Sequence, residues 1–130
     1  MHKKYQEVFQ ALADAAIFSA EIALKHEKTK ENKQRIDTAN EMHEKYLALN
    51  NKIQAAGEEY IPTKDDIALL LIASIIVSKQ LENQVENTRK AIAGYQTDII
   101  PKLQQILNEC ENDSEVASKS EQMFIINDNE

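Results

Sequence analysis

Residues 57–77 read GEEYIPTKDDIALLLIASIIV, and this stretch decides the fold. Gly57 suits the positive-φ position just past a helix end. Pro62 interrupts any helix that runs into it. Thr63 then opens a new helix. Its hydroxyl is placed to accept the amide N–H of Asp66, and the Asp66 carboxylate is placed to reach back, which is a capping box. Asp65 and Asp66 also complement the positive end of the helix dipole. The eleven residues from Ile67 to Val77 are apolar except for Ser74. A capped run of this kind predicts a helix surrounded by protein. It falls short of the roughly 20 residues that cross a bilayer, so no membrane span is expected. The helix is predicted to continue to about Ala93, narrowing from Leu81 onward to a single apolar stripe.

Upstream, Ala39, Met42, Tyr46, Leu49, Ile53 and Ala56 recur at alternating spacings of three and four. That period predicts a helix over about 35–56 packed along one edge, as in a coiled-coil seam. Residues 28–34 carry no apolar side chain and are read as a turn, with one continuous long helix as the alternative because the stretch has no Gly or Pro. Before them, about 3–27 form another helix. Its polar residues, Lys3, Glu7, Gln10, Asp14, Glu21 and Lys25, lie on one narrow stripe, and nearly everything else is apolar. So wide an apolar face means contact with more than one neighbour, and the many alanines allow a close approach.

Downstream, Gly94 is predicted to end the third helix, and Thr97 or Asp98 to cap a fourth with Pro101 in its first turn. That helix carries Ile99, Leu103, Ile106, Leu107 and Cys110 on one face and ends near Glu111. Residues 112–122 are polar and are expected to be flexible. An apolar island, Met123-Phe124-Ile125-Ile126, follows before a polar end. The expected fold is all-α: an antiparallel bundle of three long helices and one shorter C-terminal helix over residues 1–111, with a flexible acidic tail over 112–130.

Composition agrees. Hydrophobic residues make up 42% of 130, enough for a core, while 2 Gly and 2 Pro are too few for the turns of a β-rich fold. The single cysteine, Cys110, excludes an internal disulfide and any multi-cysteine zinc site, and points to a reducing, cytoplasmic setting. The basic start His2-Lys3-Lys4 is followed by Gln10, Asp14 and Glu21, which interrupt a signal-peptide core. The net charge of −7 is uneven. From Glu109 onward seven acidic residues face Lys119 alone, whereas residues 1–108 hold 15 acidic and 14 basic residues.

No catalytic, cofactor-binding or metal-binding set emerges. His2, His26 and His43 form no Glu-x-x-His or His-Glu-x-x-His pattern. Two glycines cannot build a phosphate loop or a nucleophile elbow. Cys110 sits on an apolar face and reads as a core residue. The chain is therefore expected to be no enzyme and to need no cofactor.

The expected lengths of the last two helices carry the functional reading. A fourth helix starting at about residue 98 would cover only the far half of the third, leaving Ile67–Val77 one neighbour short. A second copy of the chain, the tail island or another protein would then cover it. The expected partner surface comprises Ile67, Leu70, Leu71, Ile75 and Val77, with Met123, Phe124, Ile125 and Ile126 from the tail, and a homodimer is the expected assembly. A basic end is also expected, gathering Lys25, Lys28, Lys30, Lys33, Arg35, Arg89 and Lys90; a solvated loop with scattered lysines is the favoured reading of it, and a surface for an anionic partner the sharper alternative. It lacks the aromatic and Arg-rich pattern of a nucleic-acid site, so direct nucleic-acid binding is not expected. The leading function is thus a non-enzymatic protein–protein interaction module. Two alternatives are a small acidic inhibitor or regulator of nucleic-acid machinery, of phage or mobile-element type, and a ligand-binding bundle with a pocket between the first and third helices.

Overall fold

A computed structural model describes residues 3–82 and 89–125. Every regular element among the described residues is helical, so the fold is all-α: α1 (Lys3–Thr29), α2 (Lys33–Ala56), α3 (Lys64–Glu82), α4 (Arg89–Gly94), α5 (Ile100–Glu109) and α6 (Asp113–Ile125). A short 3₁₀ turn, Gly57–Glu59, follows α2, and a π turn, Tyr95–Ile99, joins α4 to α5.

The first reversal falls in the apolar-free stretch. Glu31 takes a left-handed φ of 56°, and the Asn32 side chain accepts the Arg35 amide at 3.3 Å to start α2. The first two helices are therefore separate. They pair antiparallel: Arg35 Nε lies 3.2 Å from Glu27 Oε2 near the turn, and Gln10 Nε2 donates to Asn50 Oδ1 at the far end.

The second reversal uses the predicted residues. Gly57 adopts φ 58°, and its N–H donates to Ile53 O. The Thr63 hydroxyl accepts from Asp66 N at 3.2 Å, and Asp66 Oδ2 accepts from Thr63 N at 3.2 Å, completing the capping box. Asp66 is itself buried, and the same oxygen accepts from the Tyr60 hydroxyl at 2.7 Å and from Lys52 Nζ at 2.8 Å.

Beyond α3 the structure corrects the expected register. Gly94 does not end a helix. It is helical, with φ −59° and ψ −44°, and the chain passes through the π turn straight into α5. The Thr97 hydroxyl donates back to Ala93 O at 2.6 Å instead of capping a new helix. The reason is packing: Ile92, Tyr95, Ile99, Leu103 and Ile106 make one stripe across Gly94, and burying it outweighs the roughly 1 kcal/mol that glycine costs a helix. The π turn also lets Pro101, which has no N–H to donate, enter the first turn of α5.

This helical stretch runs antiparallel to α3. Gln96 Nε2 reaches Glu82 Oε1 at 3.4 Å, and at the other end Lys64 N donates to Asp113 Oδ1 at 2.9 Å. Residues 89–93, expected to prolong the third helix, lie on this returning limb, so α5 reaches the apolar start of α3.

The second correction concerns the tail. Residues 113–125 form α6, not a flexible segment. Asn112 Oδ1 accepts from Glu115 N at 3.0 Å as the N-cap, and Glu111 N, one residue ahead of the cap, donates to Glu115 Oε1 at 3.4 Å. Val116 and Ser120 are fully buried. The remainder of the expected tail, residues 126–130, lies outside the described residues.

The main core gathers Phe9, Ile53, Tyr60, Ile67, Leu103 and Val116 around the end where α3 begins. Toward the other end α1, α2 and α3 meet through a smaller cluster, Ala16, Ala20, Tyr46 and Ala73.

Candidate interaction surface

Most of the expected partner surface is used inside the protein. Ile67 and Leu70 are fully buried, and Leu71, Met123 and Phe124 pack against the same core. The Phe124 ring meets Phe9 edge-on at 5.4 Å, with Lys102 Nζ 5.2 Å from its centroid on α5. Ile75 and Val77 are half-buried. Ile125 closes α6, and Ile126 lies outside the described residues. The length mismatch that suggested an uncovered third helix is thereby removed, because α5 lies along the start of α3 and α6 packs on α1 and α5 at the same end. On α3 the apolar side chains left most exposed are Ile72 (45%) and Ile76 (38%).

A different apolar row is open on α1. This helix turns Phe9, Ala13, Ala16 and Ala20 inward. One flank meets α2, through Gln10 and Asn50. The other meets α3, where the Ser19 hydroxyl donates to Gln80 Oε1 at 2.7 Å and Gln80 Nε2 donates to Ser19 O at 3.2 Å. α6 reaches α1 near Phe9. What remains is Ala11, Ala15, Phe18 and Ile22, spaced four, three and four, the period of a helix–helix seam. Phe18 is 66% exposed and Ile22 39%. Sequence reasoning saw that α1 is apolar over most of its circumference but did not single out this row. Its 3-4 spacing was the available signal.

A small cleft lies between α1, α2 and α3. It holds about 130 Å³ and is lined by alanines of α1 with Met42, Tyr46 and Ile76. The Tyr46 hydroxyl is buried without a hydrogen-bond partner among the described residues, and burial pushes its pKa up.

Charge is more internally matched than expected. Lys25, Lys28, Lys30, Lys33, Arg35, Arg89 and Lys90 are all exposed, but Arg35 is paired with Glu27, and Asp98, beside that end, with Lys102 at 2.8 Å. Among the described residues, Asp113, Glu115 and Glu121 stand on α6 and not on a flexible tail. Glu109 is held by Lys119 Nζ at 3.0 Å and by Gln105 Nε2 at 2.9 Å. Those contacts, Lys119 first, lower its pKa. Asp113 and Glu115 accept backbone N–H groups. Cys110 is buried in the main core, and that burial raises its pKa. His43 Nε2 lies 3.7 Å from Glu21 Oε1, while His26 is exposed near the turn, so the two histidines are on different levels. Among the described residues, no group of His, Cys, Asp and Glu could hold a metal ion, and no helix is long and apolar enough to cross a membrane.

No family model, curated protein or solved structure matches the chain.

Proposed function

We propose that this protein is a non-enzymatic protein–protein interaction module that docks through the open row of α1. The observation that carries this reading is Phe18, a large aromatic side chain 66% exposed on an ordered helix. Single exposed apolar residues are ordinary on any protein. A row at seam spacing, with an aromatic anchor and flanking charges, is the usual form of a helix-docking face. The test places a photo-reactive phenylalanine analogue at position 18 and, as a control, at exposed Gln54. Protein crosslinks formed from position 18 and not from 54 support the reading. Equal or absent crosslinking at the two positions refutes it.

A second reading, a ligand-binding bundle, is favoured by the alanine-lined cleft beside the Tyr46 hydroxyl. A volume near that of the dry engineered cavities that take up benzene suits a small apolar molecule. Titration with indole should move the NMR signals of Ala20 and Ala73, and Ala73→Phe should abolish the effect. Unmoved signals at millimolar indole would rule this reading out.

A further inference from the structure

We infer that the occupant of the α1 row is a second copy of this chain, its α1 running antiparallel about a two-fold axis that passes midway between residues 15 and 18. The inference rests on the interaction reading above and adds to it the identity and geometry of the partner.

Side-chain size sets the orientation of the pair. Along α1 the row runs small, small, large, large: Ala11, Ala15, Phe18, Ile22. A two-fold contact is self-complementary, so whatever residue i meets, its counterpart meets i. With the axis midway between 15 and 18, Phe18 of each copy faces Ala15 of the other, and Ile22 faces Ala11. Every large side chain then lands on a small one, the arrangement that fills a helix–helix seam without voids or clashes. A parallel pairing would stack Phe18 on Phe18 and leave Ala15 opposite Ala15, with an overfilled layer beside an empty one. The row thus selects the antiparallel orientation from its own sequence of sizes.

Charge at the ends agrees. Glu7 and Lys28 lie at the two ends of the row, both exposed, and among the described residues neither has an ion-pair partner within its own chain. The antiparallel register brings Glu7 of one copy toward Lys28 of the other, twice per dimer, whereas a parallel register sets like against like. Near the middle Asp14 comes toward Glu21 of the second copy, where His43 already stands 3.7 Å from Glu21. That contact sits at the solvent edge, where charges are well screened.

The contact is short. From Ala11 to Ile22 the seam is about 18 Å long at roughly 1.5 Å per residue. An interface at the small end of the range implies a dissociation constant of about micromolar order.

The experiment uses the full chain with Cys110→Ser. Chains carrying Ala11→Cys are mixed with chains carrying Ile22→Cys and oxidised. The expected product is the mixed disulfide, well beyond the statistical excess that random pairing of equal amounts of the two chains would give over each like-with-like disulfide. Predominant joining of Ala11→Cys chains to each other would establish a parallel contact and overturn the inference. Sedimentation gives the second arm. Phe18→Ala should weaken dimerisation by more than about thirtyfold, because the thirtyfold expected for one central anchor applies at both symmetry-related positions. Ala15→Phe should weaken it too, and the exchange Ala15→Phe with Phe18→Ala should restore it, because the exchange again sets large against small. Failure of the exchange to restore the dimer overturns the proposed register. A wild-type monomer at several hundred micromolar overturns the dimer outright. A crosslink from position 18 to a different protein would still leave the interaction reading standing.

Discussion

At the scale of single residues, Asp66 bears the most. One buried carboxylate oxygen holds the Tyr60 hydroxyl, the Lys52 ammonium and the Thr63 amide at 2.7, 2.8 and 3.2 Å, so it fixes the 57–63 connection to the start of α3. Removing an acceptor from buried donors costs more than removing donor and acceptor together. Asp66→Ala is expected to lower stability by about 3 kcal/mol, combining a lost cap with an orphaned tyrosine hydroxyl. Adding Tyr60→Phe should then cost less than it does in the wild-type chain, a coupling that a double-mutant cycle from urea unfolding measures. Strict additivity would show that the network does not act as a unit. Glu109 supports a pH prediction. Lys119 and Gln105 favour its ionised form, so in the folded chain its pKa lies below the ordinary glutamate value. Its stabilising contribution is then fully present above that ordinary value and lost as pH falls through the lowered one. In an NMR titration, Lys119→Ala should move the Glu109 midpoint upward. An unchanged midpoint would mean that the α5–α6 ion pair does not persist in solution.

At the scale of elements, the capping logic at Thr63 was legible because it is local: two residues, Thr63 and Asp66, and two hydrogen bonds specify it whatever surrounds them. The turn after α1 was legible for the same reason, as a stretch with nothing to bury. Gly94 was misread because a helix stop needs a left-handed residue, and glycine only permits that conformation. Whether the chain uses it depends on the stripe on either side, which is a tertiary matter. α6 was missed because its buried face is narrow: Val116, Ser120 and Phe124 among charged neighbours, with a serine in a fully buried position. The Asn112-x-x-Glu115 cap was present in the sequence and was outweighed by polar composition. The corrected reading of Gly94 makes a prediction with a definite sign. The residue is helical, and a Cβ there would meet nothing within 4 Å. Gly94→Ala should therefore stabilise the protein by about 0.5–1 kcal/mol, by restricting the unfolded chain and favouring the helix. Were Gly94 a left-handed stop, the same change would destabilise it. Thermal unfolding of the two proteins decides between them.

At the scale of the whole molecule, the two missed features share one consequence. A third helix running to residue 93 beside a loose tail leaves the start of α3 without a neighbour, and that expectation places the partner surface there. The returning α4–α5 limb and α6 close that end instead, and an apolar row is left open on α1, whose excess apolar width was legible although its unpaired row was not. Which stripe of a many-sided apolar helix stays uncovered depends on how many neighbours arrive, and that count rests on long-range packing. α6 is the last neighbour to arrive. It covers Phe9 through Phe124 and buries Val116 beside Cys110. Truncation after Asn112 should thus act as the loss of core, not of a flexible appendage. Burying a side chain the size of Val or Phe contributes about 1.5–3 kcal/mol, so losing Val116 and Phe124 together should cost several kcal/mol. It should also open Cys110 to a thiol reagent that the intact protein, with its thiol buried and its pKa raised, resists. The loss can be separated from general unfolding by Val116→Asp in the full chain, which should undock α6 and speed Cys110 labelling while the circular dichroism of the other helices is kept. Equal labelling rates in all three proteins would show that α6 does not stand over Cys110 in solution.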